Sequence, residues 1–218
     1  FQWKSGQVIL GALKGTTTVA VYAVGIMLGT YYGTFASAFT SLLVPKATKM
    51  LYDNSTISDM NHMFIRIGRY TIFVLLFVLG AFILYGRQFI ILWLGESYIS
   101  SWTIALSIMV VITVPLSQGF AQSMLEASKA LKFKAITGII SVLFGMIVGS
   151  LLVKDFGALG MIAGILMGRF IFDVLLNLFY VSKLGLNIPE FIRRVFVKNT
   201  MLFCLVLFIG KQLNVVFG

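Results

Sequence analysis

The chain has 218 residues, of which 59% are apolar and 11% charged, and its mean hydropathy is +1.00. Apolar surface on that scale exceeds what a core of this size can hide, which excludes an ordinary soluble domain and predicts a polytopic membrane protein. The net charge of +10 does not point to nucleic acid, because the basic residues form no dense tract and no aromatic RNA-reading motif accompanies them.

Phe1 to Lys14 reads as the end of a helix, apolar at Val8, Ile9, Leu10, Ala12 and Leu13 but too short to span. The opening lacks the basic, apolar and small-residue zones of a signal peptide, so the chain is expected to begin inside a larger protein. From Gly15 to about Val44 runs an apolar segment with small residues four apart: Gly25, Gly29, Gly33, Ser37 and Ser41. On a helix they form one nearly straight stripe without bulk, against which a second helix packs closely; in lipid such packing takes over the role of hydrophobic burial. Thr16, Thr17, Thr18, Tyr22, Tyr31, Tyr32, Thr34 and Thr40 give the segment too many polar groups for a plain lipid-facing anchor. Pro45 is a natural stop.

Residues 45 to 69 hold Lys46, Lys49, Asp53, Asp59, His62, Arg66 and Arg69 and read as a hydrophilic connector, with His62 a solvated loop residue. Tyr70 to Tyr85 spans, extended backwards through Phe64 and Ile65, and Gln88 to Gly95 reads as a short interfacial segment containing Trp93. Tyr98 to about Leu125 spans with an interruption at Pro115, whose missing backbone donor should kink the helix. Pro115, Ser117, Gln118 and Gln122 together leave polar groups that a cavity can use. Glu126 reads as an inner-edge residue paired with Lys129 or a neighbouring helix. Ala135 to Val153 spans again, Lys154 and Asp155 form a very short turn, and Gly157 to Tyr180 returns with Gly157, Gly160, Gly164 and Gly168. A basic connector from Lys183 to Lys198 leads to a last span from about Thr200 to Phe217. Cys204, alone in an apolar run, reads as a buried small hydrophobe.

Alternate connectors carry Lys46, Lys49, Arg66 and Arg69, then Lys129, Lys132 and Lys134, then Lys183, Arg193, Arg194 and Lys198. The opposite ones offer Arg87, Lys154 and Lys211, with Lys14 near that edge. The positive-inside rule makes the first set cytoplasmic. The small-residue helix then runs from outside to inside, and the charge is largely a record of topology.

Arg169 and Asp173 lie mid-span, four residues apart on one helical face. A charge there costs about 2.5 to 3.5 kcal/mol on the insertion scale, so it faces a wet cavity or a partner. Either the two neutralise each other and lock helices together, or Arg169 lends positive charge to a path for an anionic head group, with Asp173 orienting it or taking part in proton coupling. Lys14 is a second basic candidate at the outer end, or a lysine snorkelling to the interface. Tyr22 and Tyr32, near the glycine stripe, either cap a sugar-binding cavity or fill space beside a close helix crossing. No metal-ligand spacing, nucleophile elbow, phosphate-cradling loop or long outer loop with paired carboxylates appears, so no enzyme, cofactor or metal is expected.

Several stretches resemble a known family. They are Trp3, Gly6, Ile9-Leu10-Gly11, Gly15-Thr16 and Val19 to Gly25; Pro45-Lys46; Gln88 to Gly95; Pro115 with Gln118; Leu125 to Lys129 with Lys132-Phe133; Gly157 to Gly160; and Asn177 to Tyr180 with Lys183 and Gly185. Their order and spacing resemble the second half of bacterial oligosaccharide flippases of the Wzx type, in the superfamily of multidrug extruders and lipid II flippases. The resemblance implies an all-α protein of about six transmembrane helices plus a partial one. Residues 1–218 would be a single bundle, the C-terminal lobe and trailing helices of a two-lobe transporter whose N-terminal lobe is absent from this chain. It further implies an inner-membrane exporter of an undecaprenyl-pyrophosphate-linked oligosaccharide repeat unit for O-antigen or capsule, working by alternating access. Lys14, Arg169, Asp173, Tyr22, Tyr32 and Gln118 are its candidate substrate contacts. Where many relatives carry an acidic residue near Gly6 this chain has none, so no coupling ion carries over. The alternatives are a drug/cation antiporter of the same superfamily and a polymerase or ligase of the glycan pathway.

Overall fold

The computed structural model describes residues 2–41, 45, 49–50, 56–127, 131–183, 185–205 and 207, and every element among them is helical. In chain order the helices are α1 (Gln2–Lys14), α2 (Thr16–Ser41), α3 (Ile57–Leu94), α4 (Ser100–Ser117), α5 (Gly119–Ala127), α6 (Leu131–Gly168), α7 (Leu176–Lys183) and α8 (Ile188–Phe191). A short 3-10 turn, Glu96–Tyr98, joins α3 to α4, and π-helical turns at Arg169–Leu175 and Ile192–Val197 continue α6 and α8. Four helical stretches are long and apolar enough to cross a membrane: Thr16–Ala38, Ile57–Leu94, Glu96–Ser117 and Lys134–Lys183. The last of these reverses at Gly157, whose φ of 56° favours glycine, so its two arms run side by side. Most of the last predicted span, residues 42–44 at the end of the small-residue segment, and connector residues 46–48 and 51–55 lie outside the described residues.

The small-residue stripe of α2 meets α4, and the two helices run parallel. A Cβ on Gly25 would stand 2.6 Å from Ile104 Cγ2, and one on Gly29 2.6 Å from Ile108 Cγ2, so each isoleucine fills a notch made by a missing side chain. Ser101 Oγ donates to the Val21 carbonyl at 2.7 Å and fixes the upper end of this seam. Closer still is the contact between the arms of α6. A Cβ on Gly164 would land on the Gly149 backbone and one on Gly160 on the Leu152 carbonyl, so here main chain lies on main chain. Gly6 of α1 likewise leaves room for the Tyr22 ring.

Two segments differ from the sequence reading. Residues 57–69 are not a loop but the first turns of α3, begun by a capping box in which Thr56 Oγ1 accepts from the Asp59 amide at 3.2 Å and the Asp59 carboxylate accepts from the Thr56 amide at 3.3 Å. Met60, Phe64 and Ile65 are buried there, so His62 lies on a helix. Residues 88–94 do not form a separate interfacial piece either; they extend α3, whose 38 residues measure about 57 Å at 1.5 Å each, well beyond a bilayer core of about 30 Å. Its apolar middle is bracketed by exposed Tyr70 and Tyr85, an arrangement suited to the two interfaces. The break near Pro115 falls at Gln118 (φ −94°, ψ 20°), three residues on, which separates α4 from α5.

End groups sort into two sets. Lys14 Nζ donates to the Lys154 carbonyl at 3.3 Å at one end of the bundle. At the other, Asn61 binds the turn after α7, and Arg66, Arg69 and Arg194 share a cleft.

Candidate functional site

The site grows from the foot of the α6 hairpin. Arg169 lies twelve residues past the Gly157 reversal, about 18 Å along a helix and near the middle of a bilayer core. At Arg169 the helix changes to π geometry, a wider turn that recurs at functional positions. With about 4.4 residues per π turn, positions 169 and 173 stay on one face, and Arg169 Nε lies 3.3 Å from Asp173 Oδ2. The guanidinium also stacks over the Trp3 ring of α1 with 5.0 Å to the centroid, a cation–π contact that ties α1 to this face.

Both charges open onto a cavity of about 800 Å³ bounded by α1, α2, α4, α5, α6 and the π turn. The size is that of a pocket for a ligand of a few rings. Along α2 it is lined by Gly29 and Gly33 and by Thr30, Thr34 and Ser37. These three hydroxyls donate to the Met27, Thr30 and Gly33 carbonyls at 2.9, 3.0 and 2.9 Å, which leaves their oxygens as acceptors toward the cavity. Across from them stand Gln122, Ser123, Lys134 and Thr137, and the Gln122 amide nitrogen has no hydrogen-bond partner among the described residues. Lys134 and Arg169 against Asp173 leave the lining net positive. No group of three or more His, Cys, Asp or Glu among the described residues is arranged to hold a metal ion.

Of the six residues singled out from the sequence, the structure brings Arg169 and Asp173 together in this cavity. The other four are not among its lining residues. Lys14 stays at the opposite end of α1, on the Lys154 carbonyl. Tyr22 is fully buried between α1 and α6, its hydroxyl against Gly6 and near Ile165 with no hydrogen-bond partner among the described residues. Tyr32 is also buried, its hydroxyl 2.7 Å from Thr113 Oγ1 and 3.2 Å from the Leu75 carbonyl, so it cross-braces α2, α3 and α4. Gln118 is buried at the α4–α5 break, and its neighbour one turn on, Gln122, takes the cavity position. Glu126 has no described side chain. Trp3 and Lys134 were not anticipated here; the one stood in a helix end and the other in a connector, and only tertiary folding carries both to Arg169.

No family model, curated protein or solved structure matches this chain.

Proposed function

We propose that the protein is an export flippase, carrying an undecaprenyl-pyrophosphate-linked oligosaccharide repeat unit across the bacterial inner membrane for surface polysaccharide synthesis. The observation that carries the reading is the cavity itself: about 800 Å³, reaching from Arg169 toward the basic end of α6 at Lys134 and lined by hydroxyls and an indole. Arginine and lysine attract pyrophosphate, the hydroxyls of Thr30, Thr34 and Ser37 accept from sugar hydroxyls, and Trp3 offers an apolar ring face to a sugar. Asp173 holds the guanidinium in place until an anion arrives. The chain contributes one lobe, and a second bundle of the same protein closes the other side of the path. The ends bearing Arg66, Arg69, Lys134 and Arg194 are cytoplasmic, and Lys14 with Lys154 marks the outer rim. The work is transport by alternating access rather than bond-making.

A strain lacking its own flippase tests this. The intact parent protein should restore surface polysaccharide, and Arg169→Ala, present in the membrane at equal amount, should restore roughly a tenth or less, as expected when a charge contact of about 1.5 to 3 kcal/mol is lost. Lys14→Ala, altered at the rim, should lose less. Equal restoration by the parent and by Arg169→Ala would remove Arg169 from the path.

A further inference from the structure

A second concavity, of about 500 Å³, lies at the basic end of α3, away from the cavity holding Arg169. Its α3 wall includes His62, Arg66, Arg69 and Tyr70, and its other wall carries Glu190 and Arg194. The α3 positions follow helical spacing, so they form one stripe. The opposing wall is held firmly. Asn61 Nδ2 donates to the Gly185 carbonyl at 3.3 Å, its Oδ1 accepts from the Asn187 amide at 2.7 Å, and Asn187 Oδ1 in turn caps the Glu190 amide at 3.0 Å. Behind the cleft the Phe191 ring stacks on Phe64 with centroids 4.0 Å apart and planes 9° from parallel, over Gly68, where a Cβ would strike it. The cleft is therefore fixed by packing before any ligand arrives.

Its charge is unbalanced. Arg194 pairs with Glu190 at 3.0 Å, while Arg66 and Arg69 have no ion-pair partner among the described residues. Three guanidiniums thus face one carboxylate. Exposed arginines are ordinarily solvated, but here the stripe runs on without a break: Arg66, Tyr70, Phe73 and Phe77 share one face of α3, and both phenylalanines are strongly exposed, at 60% and 74%. Basic groups at the head and bare aromatic surface directly below match an amphiphile with an anionic head and acyl chains. A soluble phosphate would use only the upper half.

We infer that this cleft binds the phosphate of an anionic phospholipid headgroup, with the acyl chains lying along Phe73 and Phe77. Guanidiniums bind phosphate oxygens in paired hydrogen bonds, and basic pockets between transmembrane helices on the inner side are suited to such heads. The inference needs only that the chain sits in a bilayer and is independent of the cargo in the first cavity.

Native mass spectrometry of the full-length protein in micelles tests it, with phosphatidylglycerol as probe, phosphatidylcholine of the same chains as the neutral comparison, and glycerol 3-phosphate as soluble competitor. Phosphatidylglycerol should be retained about tenfold better than phosphatidylcholine. Arg66→Gln/Arg69→Gln should abolish that preference, whereas Arg193→Gln, an exposed arginine beside the cleft but not lining it, should keep it. If the double variant does not fold, Arg66→Gln and Arg69→Gln singly should each weaken the preference several-fold. The inference is overturned by equal retention of the two lipids, by a preference that survives loss of both arginines, or by an equal loss in Arg193→Gln. Displacement of the lipid by millimolar glycerol 3-phosphate would assign the cleft to free phosphate and overturn the lipid reading.

Discussion

Replacing Gly164 by alanine adds one methyl group where the structure has no room. The new Cβ would fall on the amide nitrogen and Cα of Gly149 and 2.9 Å from the carbonyl carbon of Val148, all backbone atoms of the facing arm. No rotamer can relieve contacts with main chain, so the two arms of α6 must separate by about 1 Å, enough to forfeit a quarter to a half of the dispersion energy across the seam. A seam with as many atom contacts as one buried leucine, about 40 to 60 at about 0.1 to 0.2 kcal/mol each, then loses about 2 kcal/mol, within the range for overpacked interiors. In lipid no hydrophobic term offsets that loss. Gly138→Ala is the matched control: it lies in the same helix, a Cβ there would meet nothing within 4 Å, and alanine is the better helix former. Reversible unfolding in mixed micelles should place Gly164→Ala about 2 kcal/mol below the parent and Gly138→Ala level with it or slightly above. Equal stability of the two variants would refute the claim that the arms touch through their backbones.

Two further substitutions separate scaffold from contact surface. Gly29→Leu drives a side chain into Ile108, 2.6 Å from the added Cβ, and should lower the yield of folded protein and cost about 1 to 3 kcal/mol in the same unfolding measurement; a variant that folded and exported normally would contradict the packing role of the stripe. Tyr32→Phe removes the hydroxyl that bridges Thr113 and the Leu75 carbonyl, and should cost about 1 kcal/mol of stability while leaving export unchanged, since Thr113 still donates to the Met109 carbonyl at 2.7 Å. Loss of export at unchanged stability would instead make Tyr32 a substrate contact.

What the sequence made legible were features with a local cause. The small-residue stripe of α2, the interruption after Pro115, the reversal between Lys154 and Gly157 and the Arg169–Asp173 pair each follow from the chemistry of a few neighbouring positions. The helical start of α3 was hidden because its polar face, with Asn61, His62, Arg66 and Arg69, looks like a connector, while the opposite face buries Met60 and Phe64 at helical spacing. Residues 88–94 read as a separate piece because Gly86 and Arg87 interrupt the apolar run, yet a helix past the bilayer needs no apolar continuity. Tyr22 and Tyr32 cannot be assigned from the stripe alone, because a tyrosine beside a close crossing points into protein or into a cavity according to the third helix. Nor does any residue pattern foretell the π turn at Arg169 or the meeting of Trp3 with it, which depends on α1 folding back after Gly15 (φ 82°).

The two glycine seams explain why the cavity lies where it does. Along α2 and α4 the fit is tight at Gly25 and Gly29, where an added Cβ would stand 2.6 Å from an isoleucine, and has relaxed at Gly33, where it would stand 3.5 Å from Ile112. Three residues past Ile112 comes Pro115, and α4 ends at Ser117, so the stripe continues to Ser37 while its partner turns away. Small residues without a filling side chain opposite leave open volume, and Gly33, Ser37 and Pro115 line the cavity for that reason. The α6 hairpin behaves in the same manner. Its arms touch at Gly160, Gly164 and Gly168, whereas Gly138, one turn below Ser141, meets nothing and lines the cavity too. Gly168 is the last glycine at which the arms meet backbone to backbone, with Phe144 and Phe172 still in ring contact beyond it, and Arg169 follows Gly168 directly, at the first position where the helix widens into π geometry. The same economy of side chains that binds the helices near the rim therefore opens the space below it, and Arg169 and Asp173 stand where both runs of close glycine contact end.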